Sequence, residues 1–113
     1  MSNGKLRKTY QFKNVYNNGK SYANRLVVLY VLRKNKNNND RRVGYSVSKK
    51  IGKAVVRNRV KRLLREVYRD TQSKLETNID LVFIARNPII NASYDQIERA
   101  VNQLLKKSKV VKD

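Results

Sequence analysis

Residues 54–71, near the middle of the chain, form a segment in which six positions, five of them apolar, fall on one side of a helix. At about 100° per residue these positions lie within one arc, and half of the other positions are basic. The arc contains Val56, Val60, Leu63, Leu64, Val67 and Thr71. A helix of this kind needs another layer of protein to cover its apolar side, so the segment predicts a layered fold.

Two further segments carry helix signals. Thr9–Asn18 is expected to start with Thr9 as its N-cap and to stop at Gly19. Ser93 to about Lys107 opens with a Ser93-x-x-Gln96 capping box. The chain therefore has three predicted helices, each with an apolar stripe to bury.

Three apolar segments predict strands. Leu26–Leu32 is apolar on both faces, so each face needs a cover. Within Val43–Val47, larger apolar residues alternate with small ones, which is typical of a half-buried strand. The third segment, Ile79–Ala85, ends before Asn87-Pro88. We predict an α+β domain in which the three helices cover a mixed sheet of about four strands. Residues 1–113 are expected to form one domain, with residues 1–8 as a loose basic arm.

The composition excludes several classes of site. The chain of 113 residues contains no cysteine and no histidine. Disulfides, Cys/His zinc sites and Ser-His-Asp, Cys-His or two-histidine ribonuclease chemistry are therefore impossible. The longest apolar run is too short to span a membrane, and residues 1–7 lack the apolar core of a signal peptide. We expect a cytoplasmic protein.

The charge predicts a polyanionic partner. Against 8 Asp+Glu the chain has 27 Lys+Arg, a net charge of +19 at pH 7. That is far beyond the roughly 2–8 charges that solubility alone suggests for a small domain. Nucleic acid is the best such partner, because the arginine guanidinium matches phosphate geometry. The charge by itself does not separate RNA from DNA.

The side of residues 54–71 opposite the apolar arc is densely basic. Like charges four residues apart repel by roughly 0.2–0.5 kcal/mol per pair, which a bound polyanion would offset. Lys49, Lys50 and Lys53 precede the helix, where free backbone N–H groups also favour phosphate. A merely solvated face is the alternative. The basic side consists of Arg57, Asn58, Lys61, Arg62, Arg65 and Arg69, diluted only by Glu66 and Asp70.

Around this helix the chain resembles a known family. Gly52–Glu66, which contains Arg57-Asn58-Arg59, resembles the signature of the bacterial ribonuclease P protein subunit, as does Val43–Lys50 before it. The resemblance runs from about Lys8 to Lys107 in the family's order and spacing. Shorter matching segments are Phe12-x-x-Val15-Tyr16, Ala23-Asn24-Arg25 and Ile84-Ala85-Arg86.

The resemblance implies a protein that assists a catalytic RNA. In this family the RNA subunit removes the 5′ leader of precursor tRNA, and the protein binds both the catalytic RNA and the leader. We therefore expect no catalytic residue and no metal site in the protein, with Mg²⁺ bound mainly by the RNA. The absence of histidine and the scattered acids agree with this. The fold that the resemblance implies is a small, ribosomal-protein-like α+β sandwich with a left-handed strand-helix-strand crossover around the basic helix.

The resemblance also assigns residues to two binding surfaces. Phe12, Tyr16 and Tyr30 match a leader-binding cleft, where rings can stack on unpaired bases; the alternative is that these rings are core. Asn58 is either a polar contact or a helix anchor, and Arg59 could instead brace the fold. The positions matched to binding of the catalytic RNA are Lys49, Lys50, Lys53, Arg57, Asn58, Arg59, Lys61, Arg62 and Arg65.

Two other functions stay open at this level. A ribosomal or other structural RNA-binding protein would have the same composition. An autonomous metal-dependent nuclease is disfavoured, because the acids are sparse, histidine is missing, and surface ion pairs explain Glu66 and Asp70 more simply. No DNA or membrane partner is expected.

Overall fold

The computed structural model describes residues 3–35 and 40–112. This part of the chain contains three α-helices and five β-strands, joined in places by short 3-10 helices. The helices are α1 (Thr9–Asn18), α2 (Ala54–Thr71) and α3 (Tyr94–Lys107). The strands are β1 (Asn3–Lys5), β2 (Lys20–Ala23), β3 (Val27–Arg33), β4 (Arg41–Ser46) and β5 (Ile79–Ala85). Among the described residues, no helix is long and apolar enough to cross a membrane.

The predicted helices are confirmed, but one of their caps is not. At the start of α3, the Ser93 hydroxyl oxygen accepts from the Gln96 amide at 3.2 Å, and the Gln96 side chain accepts from the Ser93 amide at 2.9 Å. Thr9 does not cap α1. The Gln11 side-chain oxygen instead accepts from the backbone amides of Arg7 and Lys8, at 2.8 and 2.9 Å.

Gly19 ends α1 because the backbone is crowded there. Its N–H donates to the carbonyl of Val15 at 2.8 Å. A Cβ at this position would lie 2.7 Å from the carbonyl oxygens of both Val15 and Val31. Only glycine allows α1 to stop this close to β3, so the predicted stop is confirmed for a reason of space.

The sheet is mixed and has the order β1-β4-β5-β3-β2. β4 and β5 are parallel neighbours joined through α2, while β3 is antiparallel to both β5 and β2. This is the strand-helix-strand connection that the resemblance implied; its left hand stays a prediction. Because β4 leads into α2 and β5 leads into α3, both helices start at one end of the sheet and finish at the other.

The two faces of β3 are both covered, as predicted. Leu29 and Val31 point into a large core beneath α2 and α3, which also contains Phe83, Leu64 and Leu104. Burying each such side chain stabilises the fold by roughly 1.5–3 kcal/mol. On the other face lies α1, over a much smaller cluster in which only Leu6, Val15 and Val82 are fully buried.

The structure corrects the prediction at the edges of the sheet. Five strands replace the expected four or so, because β1 and β2 were not predicted. Residues 3–8 are not a loose arm: Asn3–Lys5 pair in parallel with β4, and Leu6 is buried with an amide that donates to Val43 at 2.9 Å. Met1 and Ser2 lie outside the described residues. That residues 1–113 form one domain stays a prediction.

Candidate nucleic-acid interface

The segment before α2 brings three lysines to the N-terminus of that helix. Lys49 and Lys50 lie in a short 3-10 helix and Lys53 precedes the first residue of α2; all three are exposed. Gly52 has a φ of 154°, and a Cβ there would lie 3.2 Å from the Val56 side chain. No side chain caps α2 and its first turn contains no acid, so its free N–H groups add to the positive charge.

The basic side of α2 faces outward, as the sequence predicts. Arg62 and Arg65 are exposed, and Lys61 is half-buried. Arg57 donates from Nε to the carbonyl of Gly52 at 3.1 Å, which leaves the rest of its guanidinium for other contacts. We call the following residues the α2 basic surface: Lys49, Lys50, Lys53, Arg57, Asn58, Lys61, Arg62 and Arg65.

The structure separates the two residues whose roles were left open. Asn58 is exposed and its side chain has no hydrogen-bond partner among the described residues, which favours a polar contact over a helix anchor. Arg59 turns away from this surface. Its guanidinium donates to the carbonyls of Ile90 and Ala92 at 3.4 and 3.2 Å, which favours the bracing role.

Phe12, Tyr16 and Tyr30 come together between α1 and the sheet, and we call this group the aromatic cleft. The ring centroids of Phe12 and Tyr16 are 6.4 Å apart, and those of Tyr16 and Tyr30 are 5.0 Å apart with an edge-on arrangement. All three rings are half-buried, so each packs on the small core while keeping part of its surface accessible. Burial raises the pKa of Tyr16, and a hydrogen bond with Ser46 opposes that rise.

Gly44 of β4 lets Phe12 lie against the sheet. A Cβ on Gly44 would come within 2.6 Å of the Phe12 ring, so the ring occupies the space where any other residue would place a side chain. This contact fixes the floor of the aromatic cleft.

A concavity of about 180 Å³ joins the aromatic cleft to the α2 basic surface, and we call it the edge concavity. Phe12 and Gly44 line it from one side, and Lys61 and Arg65 from the other. It opens beside β4 because β1 pairs only with Arg41–Val43 and stops before Gly44. Rings that can stack on bases and cations that can bind phosphates therefore meet at one continuous surface.

Comparison with known proteins agrees with this arrangement. A family model described as Ribonuclease P matches residues 1–109. The ribonuclease P protein component of Clostridium novyi is 50% identical over 106 residues, which cover 94% of each chain. The chain belongs to the ribonuclease P protein family. Nothing in the comparisons supports the alternative of a ribosomal protein.

Solved structures of ribonuclease P proteins share the fold. The protein from Staphylococcus aureus superposes with a TM-score of 0.86 at 37% identity, covering 95% of this chain and 96% of that one. The protein from Thermotoga maritima has a TM-score of 0.80 at 30% identity, covering 91% and 96%. The predicted α+β class is confirmed. As a family member, the chain is the protein component of the ribonuclease P holoenzyme, which processes the 5′ end of tRNA.

Several acidic residues pair with neighbours within the fold. Asp80 is buried, and its carboxylate accepts from Arg42 at 2.8 and 3.1 Å and lies 2.9 Å from Lys34. Glu66 lies 3.8 Å from Arg62, the predicted surface pair. For Asp70 the structure shows a hydrogen bond from the Tyr94 hydroxyl instead. Within the described residues, no group of three acids is close enough to hold a metal ion.

Sequence reasoning missed several residues that shape or support the candidate interface. Gly44 and Ser46 alternate with Val43 and Tyr45, so a strict two-residue period would have placed them beneath α1. Asn24 was quoted only as part of the resemblance. Its side chain donates to the carbonyl of Ala100 at 2.9 Å and accepts from the amides of Leu26 and Val27, which ties the β2–β3 turn to α3. No local signal predicts that long-range contact.

Proposed function

We propose that this chain binds the catalytic RNA of ribonuclease P through the α2 basic surface and the 5′ leader of precursor tRNA through the aromatic cleft. The edge concavity carries the proposal, because it places Lys61 and Arg65 beside Phe12 on one surface. An RNA strand that stacks on the rings would have its phosphates next to those two cations.

Electrostatics supports the assignment of the α2 basic surface. Exposed lysines and arginines that neutralise phosphates release counterions, which favours binding strongly at low salt. Of the Arg62 side chain, 61% is exposed, and its carboxylate neighbour is at the outer limit of an ion pair. Such a pair contributes little to stability, so the charge is available to a partner.

Accessible ring surface supports the assignment of the aromatic cleft. Stacking of an unpaired base on an aromatic ring contributes about 1–3 kcal/mol with little sequence preference, which suits leaders of varied sequence. The protonated hydroxyl of Tyr16 can also donate or accept a hydrogen bond with a base or sugar.

The chain would act by positioning the substrate. Holding the leader beside the catalytic RNA makes productive alignment of the scissile bond effectively intramolecular. Mg²⁺ supplies the Lewis acid and the activated water when bound by the RNA. Cations of the α2 basic surface would offset phosphate repulsion that Mg²⁺ otherwise has to screen, so the holoenzyme would need less Mg²⁺. A cytoplasmic location and the lack of DNA or membrane partners stay predictions.

A tyrosine exchange tests the aromatic cleft. In the reconstituted holoenzyme, Tyr30→Ala should weaken binding of leader-bearing precursor about 5–150-fold, the equivalent of one lost stack, with a much smaller effect on mature tRNA. Tyr94→Ala is the matched control, since Tyr94 is also half-buried but packs on the large core beneath α2 and α3 and lines neither proposed RNA-binding surface. Equal losses on both tRNAs for Tyr30→Ala would show that the ring only supports the fold.

An arginine exchange tests the α2 basic surface. Arg62→Ala should make the slope of log affinity against log salt shallower by about one unit for the catalytic RNA. Arg62→Lys keeps the charge and should keep the slope. An unchanged slope for Arg62→Ala would mean that this side chain faces solvent in the complex.

A further inference from the structure

A second group of cations lies at the end of the sheet opposite the α2 basic surface. Register places Arg33 of β3 beside Ile79 of β5 at this end, and α3 finishes there. The segment after α3 is fixed to the fold: Val110 is fully buried, and the amide of Lys112 donates to the carbonyl of Lys74 at 2.7 Å. The lysines of this segment therefore have defined positions.

These cations line two neighbouring concavities, of about 890 and 450 Å³. Both contain Lys109, and Glu76 is the only acid among the described residues that line them. In the described part of the chain, none of the lysines concerned forms an ion pair. We call the exposed lysines of this group the C-terminal basic surface: Lys20, Lys106, Lys107, Lys109 and Lys112.

Ordinary structural roles explain only part of this charge. Lys106 and Lys107 lie in the last turn of α3, where the helix dipole favours cations. That effect falls off within one turn, so it does not account for Lys20 or Lys112. Arg33 does have a structural role, since its guanidinium donates to the carbonyls of Ser108 and Lys109 at 3.1 and 3.3 Å.

Lys109 occupies a position where its residue type is unfavourable. Its φ is +61°, in the left-handed region, where glycine or asparagine ends a helix at lower conformational cost. Lysine nevertheless stands at the point shared by both concavities. A cost to the fold that places a charge at the centre of a basic surface indicates that the charge has a partner.

We propose that the C-terminal basic surface binds the phosphate backbone of a second RNA segment, separate from the one on the α2 basic surface. Among the described lining residues are cations and polar groups, with Tyr22 as the only ring, which favours phosphates over unstacked bases. Lys49, Lys50 and Lys53 lie at the start of α2, at the end of the sheet opposite to the end of α3. The 14 residues of α3 span roughly 21 Å at 1.5 Å per residue, which exceeds the screening length of about 8–10 Å. Phosphate contacts at these three lysines and at the C-terminal basic surface therefore act independently.

Lys109→Gly removes the charge at this position without an expected loss of stability. Glycine adopts the left-handed conformation freely, so the thermal midpoint of the variant should equal or exceed that of the unchanged chain. Its slope of log affinity against log salt should become shallower by about one unit for the RNA that occupies this surface. Lys109→Arg keeps the charge and should keep the slope.

A double exchange covers the case in which Lys109→Gly disturbs the turn. The double variant Lys106→Gln with Lys112→Gln leaves Lys109 and its left-handed backbone unchanged. It should make the slope of log affinity against log salt shallower by up to about two units. Lys13→Gln is the control, because Lys13 is exposed on α1 and lines neither concavity.

Titrations with the catalytic RNA alone and with precursor tRNA alone identify the source of the phosphates. A shallower slope in either arm supports the proposal. Unchanged slopes in both arms, with the fold intact, would overturn it. This proposal relies on the proposed function only for the choice of RNA. Measuring Arg62→Ala in parallel distinguishes a failure of this proposal from a failure of the proposed function. If Arg62→Ala changes the slope and the lysine variants do not, only the proposal that the C-terminal basic surface binds RNA is overturned.

Discussion

The sheet carries α2 and α3 on one face and α1 alone on the other, and the two faces differ in how completely their side chains are buried. Beneath α2 and α3, residues such as Phe83 and Leu104 are at most 1% exposed. In the cluster beneath α1, only three of the described apolar residues are buried, and the surrounding rings are partly accessible. A single ten-residue helix cannot cover the sheet, so one face is fully packed while the other leaves aromatic surface accessible.

The largest expected effect is on the fully covered face. Phe83→Ala should lower the free energy of unfolding by about 3–5 kcal/mol, because Phe83 packs against Tyr45 and Tyr68 with no solvent contact. Phe12→Ala on the other face should cost only about 1–2 kcal/mol, because Phe12 is partly exposed and packs on the smaller cluster. Urea denaturation of both variants measures the difference. Equal losses of unfolding free energy in the two variants would show that both faces of the sheet contribute equally to stability.

Binding should show the reverse order. Phe12→Ala should weaken holoenzyme affinity for leader-bearing precursor by about 1–3 kcal/mol if one base stacks on this ring. Phe83→Leu keeps most of the core volume and should leave affinity within about threefold, since it changes no surface residue. Affinities measured on precursor and mature tRNA test both. A loss for Phe83→Leu as large as that for Phe12→Ala would contradict the division.

Two arginines three positions apart on α2 offer a finer test. Arg59→Ala removes the donors to Ile90 and Ala92 and should lower stability by about 1–2 kcal/mol. Arg62→Ala should change stability by no more than about 0.5 kcal/mol. Thermal melts of both variants check this. If Arg59→Ala melts like the unchanged chain, its hydrogen bonds do not brace the fold and its assignment to the RNA-binding surface regains support.

The smallest effect concerns pH. The hydrogen bond to the Asp70 carboxylate raises the pKa of Tyr94 from 10 to about 12. Because the pKa in the folded chain is raised, the contribution to stability is complete below pH 10 and is lost as pH rises towards about 12. Tyr94→Phe should remove this part of the pH dependence. Denaturation midpoints across that range, compared between the variant and the unchanged chain, measure it; identical profiles would mean that the bond does not contribute.

Local sequence signals predicted most of the regular elements. The bounds of α2 and β5 follow from apolar periodicity alone, and Ser93 with Gln96 located the start of α3. β1 and β2 escaped prediction because they are three and four residues long and form the outer strands of the sheet. Edge strands of this length lack the apolar runs on which strand prediction depends.

The site was predicted less completely than the fold. The basic side of α2 is visible in the sequence because its positions follow the helix period. The turn of Arg59 towards Ile90 and Ala92 depends on a 3-10 segment about thirty residues away, which no spacing rule reports. The contact of Phe12 with Gly44 is likewise set by tertiary packing, and it creates the edge concavity that joins the two predicted surfaces.

Single-turnover cleavage of precursor tRNA at low Mg²⁺ tests the central claim most directly. The matching catalytic RNA is assayed alone, with this chain, and with a variant in which Arg57, Arg62 and Arg65 are replaced by glutamine; the chain is also assayed without RNA. The account predicts that the chain alone cleaves nothing, that it accelerates cleavage by the RNA, and that the variant loses most of the gain while remaining folded. Cleavage by the chain alone, or an undiminished gain with the variant, would contradict it.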